Sequence, residues 1–261
     1  MLQTKPLSPG FGLETSDVDT SKPLSDAAFE EIARTFFQGQ VLVLRAQSLT
    51  PAQYVAFASR FGPPEPHVID QFHHPADPNI LILSNRKNDG QPVGLADAGT
   101  YFHTDYSYLQ VPARATMLYS LEVPKSGGNT LFANQYAAYD GLSDAMKQAI
   151  ASLVAIHHYG NRKEMNDASR IAASPLTPEQ KAKMPLITHP LVRAHPVRAA
   201  RRSMRCRAAL TASSACRRMK LSRSSTSWRR TRRSRNTSLA MTTASETSSY
   251  GTTRRCCTPR R

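Results

Sequence analysis

The sequence predicts a mostly β domain with flanking helices, an antiparallel barrel or jelly roll. Three observations carry that expectation. Short apolar runs recur between Gly/Pro turns, the mark of short strands in a β domain. A few segments with clear helix start and stop signals lie among them. The 261 residues suffice for one domain with a substantial core, and no internal repeat divides them.

In chain order, segment 25–39 reads as a helix. Ser25 is its N-cap, Phe29, Ile32, Ala33 and Phe36 form a stripe of 3.6 period, and Gly39 ends it. VLVLR at 41–45 is a short apolar run with β-branched residues, a buried strand. Thr50-Pro51-Ala52-Gln53 supplies an N-cap, a proline at the first helical position and a Gln able to close a capping box. That helix turns Tyr54, Phe57, Ala58 and Phe61 inward and stops at Gly62. Pro63, Pro64 and Pro66 impose an extended loop. ILILSN at 80–85 reads as a strand, followed by an Asn88-Asp89-Gly90 turn. Residues 100–108, 115–123 and 130–134 read as strands, the last two joined by the tight Ser126-Gly127-Gly128-Asn129 connection. Ser143 caps a helix over 143–154, and 155–159 and 187–193 are further strands.

Charge divides the chain. A net charge of +15 points to a nucleic-acid or membrane-surface partner only if it is spread over the domain. Residues 1–190 carry 15 Lys and Arg against 18 Asp and Glu, while residues 191–261 carry 19 against the single acid Glu246. The basicity therefore belongs to the tail. All four cysteines (Cys206, Cys216, Cys256, Cys257) lie there too, so the body has no disulfide framework, which suits a reducing cytoplasm. MLQTKPLSPGFG has no apolar core of a signal peptide, and no run approaches the ~18 apolar residues of a spanning helix; no membrane partner is expected.

The chemistry concentrates in Tyr101-Phe102-His103-Thr104-Asp105-Tyr106-Ser107-Tyr108. On a strand, residues two apart share a face, so His103 and Asp105 point the same way with Thr104 opposite. An imidazole and a carboxylate side by side, completed by a distant second histidine, make the facial triad of non-haem Fe(II) oxygenases. Three protein ligands leave open positions for a chelating 2-oxo acid and O2. His-x-Asp alone is a weak signal, for which a surface histidine and a solvated aspartate are the commoner reading. Its surroundings carry more. Ser84-Asn85, Gly90-Gln91-Pro92-Val93-Gly94-Leu95 and Asp97-Ala98-Gly99 precede it. Met117-Leu118-Tyr119, Glu122-Val123-Pro124, Gly127-Gly128-Asn129-Thr130-Leu131-Phe132-Ala133-Asn134 and Ala137-Ala138-Tyr139 follow. In this order and spacing the chain resembles the taurine-dioxygenase-like (TauD/TfdA) family, from about residue 10 to His195-Pro196-Val197.

The resemblance implies a double-stranded β-helix (jelly roll) and a dioxygenase that uses Fe(II) and the cosubstrate 2-oxoglutarate. It would hydroxylate a small organic acid, a sulfonate or an aryloxyalkanoate-like anion. His103 and Asp105 match two of the three iron ligands. Thr130 matches the threonine that hydrogen-bonds 2-oxoglutarate, and His67 sits where relatives often place a substrate-contacting histidine. A strand-starting Thr130 and a solvated loop His67 are the bland readings of the same residues. Tyr101, Tyr106 and Tyr108 are candidates to line the pocket, although aromatic residues on a core strand more often pack. Small molecule and O2 are the expected partners, and the intact parent is open to homo-oligomer formation, as relatives often are.

The chain departs from the family in its last quarter. The family needs a distal histidine near a Trp-Asp-Asn element and an arginine that pairs with the far carboxylate of 2-oxoglutarate, a bidentate match. Neither appears in a matching context. His157, His158, His189 and His195 are the only later histidines, and all fit better as strand or loop residues. Residues 198–261 hold 18 Lys and Arg, one acid and no amphipathic period, a composition expected to stay disordered. The double-stranded β-helix is therefore expected to be incomplete at the C-terminus. Residues 241–259 can be encoded so that reading from one base earlier yields YDYRVGDVVIWDNAAVLHA, which contains the missing element. The domain is accordingly expected to be a truncated dioxygenase over 1–197 with an out-of-frame basic tail over 198–261, and the chain to be inactive. The alternatives are a nucleic-acid-binding protein acting through the Arg-rich tail, and a non-catalytic cupin-like scaffold. Only Trp228 and Tyr250 supply aromatic rings in that tail, so base stacking is poorly served.

Overall fold

A computed structural model of the chain describes residues 2–96, 102–157, 159, 176–195, 197, 208–210 and 238–242. Its largest sheet has five strands in the order β1 (Lys5–Ser8), β2 (Phe11–Thr15), β3 (Val41–Arg45), β13 (Ser238–Thr242) and β8 (Thr116–Tyr119). β2 and β3 run parallel, and the other neighbours are antiparallel. Two helices pack beside this sheet: α1 (Asp26–Gly39) and α2 (Pro51–Ser59). Sheets with helices, the expected class, are present.

The caps form as the sequence requires. Ser25 accepts from Ala28 N, and Thr50 and Gln53 make both bonds of a capping box. The end of α1 differs from expectation. Gln40, with φ 67°, takes the left-handed position, and its N–H donates to Phe36 O at 2.7 Å. Gly39 serves close approach instead, because a Cβ there would lie 2.8 Å from Leu13 Cδ1.

The core lies between these helices and the sheet. Ile32 and Phe36 of α1, Leu42 and Leu44 of β3, and Phe57 and Phe61 at α2 are buried together. Each such side chain contributes roughly 1.5–3 kcal/mol. Phe29 and Phe61 meet edge to face at 4.8 Å, and Arg60 lies 4.4 Å over the Phe29 ring.

Several boundaries move from their expected places. The strand expected at 80–85 is β5 (Asp77–Leu81), paired with β4 (His73–His74). The Asn88-Asp89-Gly90 turn closes the short hairpin of β6 (Lys87–Asn88) and β7 (Gln91–Pro92), with Asp89 and Gly90 both at positive φ. Residues 130–134 form no strand; Asn134 instead caps α3 (Gln135–Asp140). The Ser143 helix is α4 (Asp144–Ile150), shorter than its pattern. β9 (Val154–His157) pairs with β10 (Ile187–Pro190), and β11 (Val192–Ala194) pairs with β12 (Ala208–Leu210). A further helix, α5 (Pro178–Ala182), starts on Thr177 with the same Thr-Pro-x-Gln capping box as α2. Within the tail expected to lack structure, β12 and β13 are the two described stretches. No helix among the described residues is long and apolar enough to cross a membrane.

Candidate metal centre and its aromatic wall

The expected iron strand is a turn. Residues 102–104 belong to no strand, 105–108 turn, and Tyr106 has φ 52°; residues 100 and 101, with Tyr101 among the expected pocket residues, lie outside the described ones. The alternation argument is thus corrected, because a left-handed residue at 106 folds the chain back. The two candidate ligands nevertheless come together. His103 Nε2 stands 2.9 Å from Asp105 Oδ1, each side chain about one quarter exposed. Two neighbouring ligands at about 2.0–2.1 Å from an octahedral ion are themselves about 2.9 Å apart, so this donor pair fits two adjacent positions of such a site. Among the described residues, no group of three His, Cys, Asp or Glu side chains is placed to hold a metal ion.

His67 stands over the pair's turn. Its ring meets Tyr106 edge to face at 6.1 Å and Tyr159 at 5.5 Å. Ile69 N donates to His67 Nδ1 at 3.1 Å, which leaves the ring proton on Nε2. Burial pushes this imidazole down to about 4; Asp105 opposes the shift and His73 adds to it. His67 is therefore a neutral hydrogen-bond donor at pH 7, half-buried and not the solvated loop residue of the bland reading. Tyr106 and Tyr108 stack at 5.7 Å, and Tyr108 meets Tyr159 at 4.9 Å. Burial, above all, raises both Tyr106 and Tyr108, so both keep their hydroxyl protons. Together His67, Tyr106, Tyr108 and Tyr159 form an aromatic wall beside His103 and Asp105.

Thr130 is half-buried in the irregular stretch that follows the Ser126–Asn129 connection. That connection turns on Gly127 and Gly128, both at positive φ, and a Cβ on Gly128 would meet Pro124 Cγ at 3.0 Å. The later histidines lie elsewhere. His157 and His189 are buried on β9 and β10 with ring centroids 5.3 Å apart, and His189 Nε2 reaches Leu109 O at 3.0 Å. His195 is buried against Phe37 and Tyr136, and His158 lies outside the described residues. Tyr159 and His189 were missed as neighbours of the turn. Nothing in their local spacing announces contacts with residues 67, 108 and 109.

The chain matches the family described as "Taurine catabolism dioxygenase TauD, TfdA family" over residues 3–221. It belongs to the TauD/TfdA family. Enzymes of this family are oxidoreductases, dioxygenases dependent on Fe(II) and 2-oxoglutarate. The match extends beyond Val197, where the recognisable motifs stop. An α-ketoglutarate-dependent 2,4-dichlorophenoxyacetate dioxygenase of Cupriavidus pinatubonensis is 33% identical over 201 residues, which are 73% of this chain and 68% of the relative. An α-ketoglutarate-dependent sulfonate dioxygenase of Saccharomyces cerevisiae is 30% identical over 204 residues, 75% of this chain but 47% of the relative. Among solved structures, AAD-2 in complex with Mn(II) and N-oxalylglycine superposes with a TM-score of 0.68 at 24% identity, covering 100% of this chain and 94% of that one. A taurine dioxygenase from Burkholderia xenovorans gives 0.68 at 24% identity, covering 97% of this chain and 84% of that one. These two likenesses establish the fold relationship.

Proposed function

We propose that the chain derives from an Fe(II)- and 2-oxoglutarate-dependent dioxygenase of small organic acids, built on a double-stranded β-helix, and that this chain itself is inactive or nearly so. The observation that supports the reading is the 2.9 Å approach of His103 Nε2 to Asp105 Oδ1 beside the aromatic wall. The two side chains would hold the ion, and Thr130 would hydrogen-bond 2-oxoglutarate. The ion would supply O2 activation coupled to oxidation of 2-oxoglutarate to succinate and CO2, with hydroxylation of the substrate. His67, neutral with its proton on Nε2, would donate to the acid group of the substrate, and Tyr106, Tyr108 and Tyr159 would exclude water from it. Rings at that place favour an aryloxyalkanoate over a small alkyl sulfonate.

The inactivity follows from what a third ligand does. Two donors leave the ion weakly held, and the arginine expected to pair with the far carboxylate of 2-oxoglutarate has no counterpart in the motifs. We assign both losses to an out-of-frame tail from Arg198 onward. The cysteine-free body suits the cytoplasm, and the parent is open to homo-oligomer formation; the basic tail is no evidence for nucleic acid.

Anaerobic addition of Fe(II) and 2-oxoglutarate tests the reading. No visible metal-to-ligand charge-transfer band is expected from this chain, and a band would overturn its inactivity. A chain read one base earlier after Val197 is expected to show the band and to lose it on His103→Ala. A band that survives that substitution would overturn the ligand assignment.

A further inference from the structure

The turn that carries the metal pair is held from outside. Residues 102–109 join no sheet ladder, and Leu109 N closes the turn on Tyr106 O at 3.1 Å. Tyr106 at φ 52° is a bulky residue in left-handed backbone, a strained conformation that persists only where the surroundings enforce it. Two contacts bracket it. Tyr106 Oη donates to Glu65 O at 3.1 Å. At the far end, Leu109 O lies 3.0 Å from His189 Nε2. A carbonyl only accepts, so His189 is the donor and carries its proton on Nε2. His189 is 6% exposed and stands on the inward face of the β9–β10 pair, backed by His157 at 5.3 Å. It reaches the turn from 80 residues away in sequence.

We propose that His189 is a positioning residue for the metal pair. By donating to Leu109 O it pins the end of the 105–108 turn, and through the turn it sets the approach of Asp105 to His103. The proposal rests on the reading of His103 and Asp105 as metal ligands. It gives the β9–β10 pair a task that neither histidine performs as a ligand. Removing a group that orients a ligand usually weakens metal binding about 10–100-fold.

Two readouts on the full chain test this. In the first, Mn(II) binding is followed by the electron paramagnetic resonance signal of the free ion. His103→Ala is expected to abolish saturable binding. His189→Leu is expected to weaken it about tenfold or more, and His189→Gln, whose side-chain N–H reaches the same carbonyl, to restore most of the loss. Parent-like affinity in His189→Leu, with His103→Ala silent, overturns the clamp and leaves the ligand reading standing. Undiminished binding in His103→Ala overturns the ligand reading and the clamp with it. The second readout needs no metal. Amide hydrogen exchange over residues 103–109 is expected to quicken in His189→Leu and to return to the parent rate in His189→Gln, while α1 amides stay slow. Unchanged exchange over 103–109 overturns the proposal. So does a folded His189→Gln chain that exchanges as fast as His189→Leu. If His189→Leu unfolds throughout, His189→Gln against the parent decides alone, and a loss of protection at 103–109 there overturns the clamp.

Discussion

At the scale of single residues, Gln47 shows how completely a buried amide must be answered. It is 3% exposed. Its Oε1 accepts from Thr20 N at 2.9 Å and Thr20 Oγ1 at 2.7 Å, and its Nε2 donates to Val18 O at 2.6 Å and Arg45 O at 2.7 Å. All four bonding positions are used, and they tie the loop after β2 to the end of β3. Gln47→Leu keeps the size but leaves several groups unanswered, each worth about 1–3 kcal/mol, so a loss of roughly 2–4 kcal/mol is expected in urea unfolding. A change below 0.5 kcal/mol, the ordinary range of surface substitutions, would contradict this account. The candidate site was legible at this scale only in part. His103 and Asp105 stand out as two potential ligands two positions apart, and they do meet. The left-handed Tyr106 that turns the chain just after them was not legible, because a tyrosine carries no mark of positive φ. Nor was Tyr159, whose contact with His67 depends on how distant segments pack.

Among elements, the caps were the most legible part of the fold, because their chemistry is local. Thr50-Pro51-Ala52-Gln53 announces α2, and α2 brings Phe57 into the core. Thr177-Pro178-Glu179-Gln180 announces α5 by the same bonds. It escapes a search for apolar period because a five-residue helix has none to show. Gln180 also donates from Nε2 to Asp70 Oδ1 at 2.9 Å, so this cap fastens the helix to the loop beyond His67. Thr50→Ala is expected to cost about 1 kcal/mol, read as a shift in the urea midpoint. Thr177→Ala is expected to lose a similar amount locally, seen as faster amide exchange in residues 70–72 and 178–182 with little change at α1. The strand boundaries were less legible. Pairing partners, not propensity, decide where β5 and β8 end, and those partners lie far along the chain.

Over the whole molecule, two histidines set an acid limit. Burial holds His67 and His157 down to about 4; His189 and Arg193 add to the lowering at His157. In an unfolded chain both take a proton near 6.5. Between about pH 6.5 and 4 the unfolded state therefore binds more protons, and stability falls as pH falls through that window. The thermal midpoint is expected to drop from pH 7 to pH 4.5, and to drop less in His67→Gln. Sheet architecture sets a second dependence, and it involves the tail. β13 lies between β3 and β8, pairing Thr242 with Val41 on one side and Thr116 on the other. Leu42 and Leu44 of β3 sit at the centre of the core. A chain ending at Val197 would leave the facing edges of β3 and β8 unpaired over that core, and open apolar edges recruit other chains. Such a chain is expected to sediment as aggregate, with the full chain staying in solution under the same conditions. The basic charge of residues 198–261 also keeps chains apart by repulsion, so a substitution that spares the charge separates the effects. Ala240, paired with Val43 on one side and Leu118 on the other, lies in the middle of β13, and Ala240→Pro in the full chain breaks that pairing while keeping every arginine. It is expected to aggregate as the 1–197 chain does. If it stays in solution as the full chain does, charge and not the fifth strand is what the tail contributes.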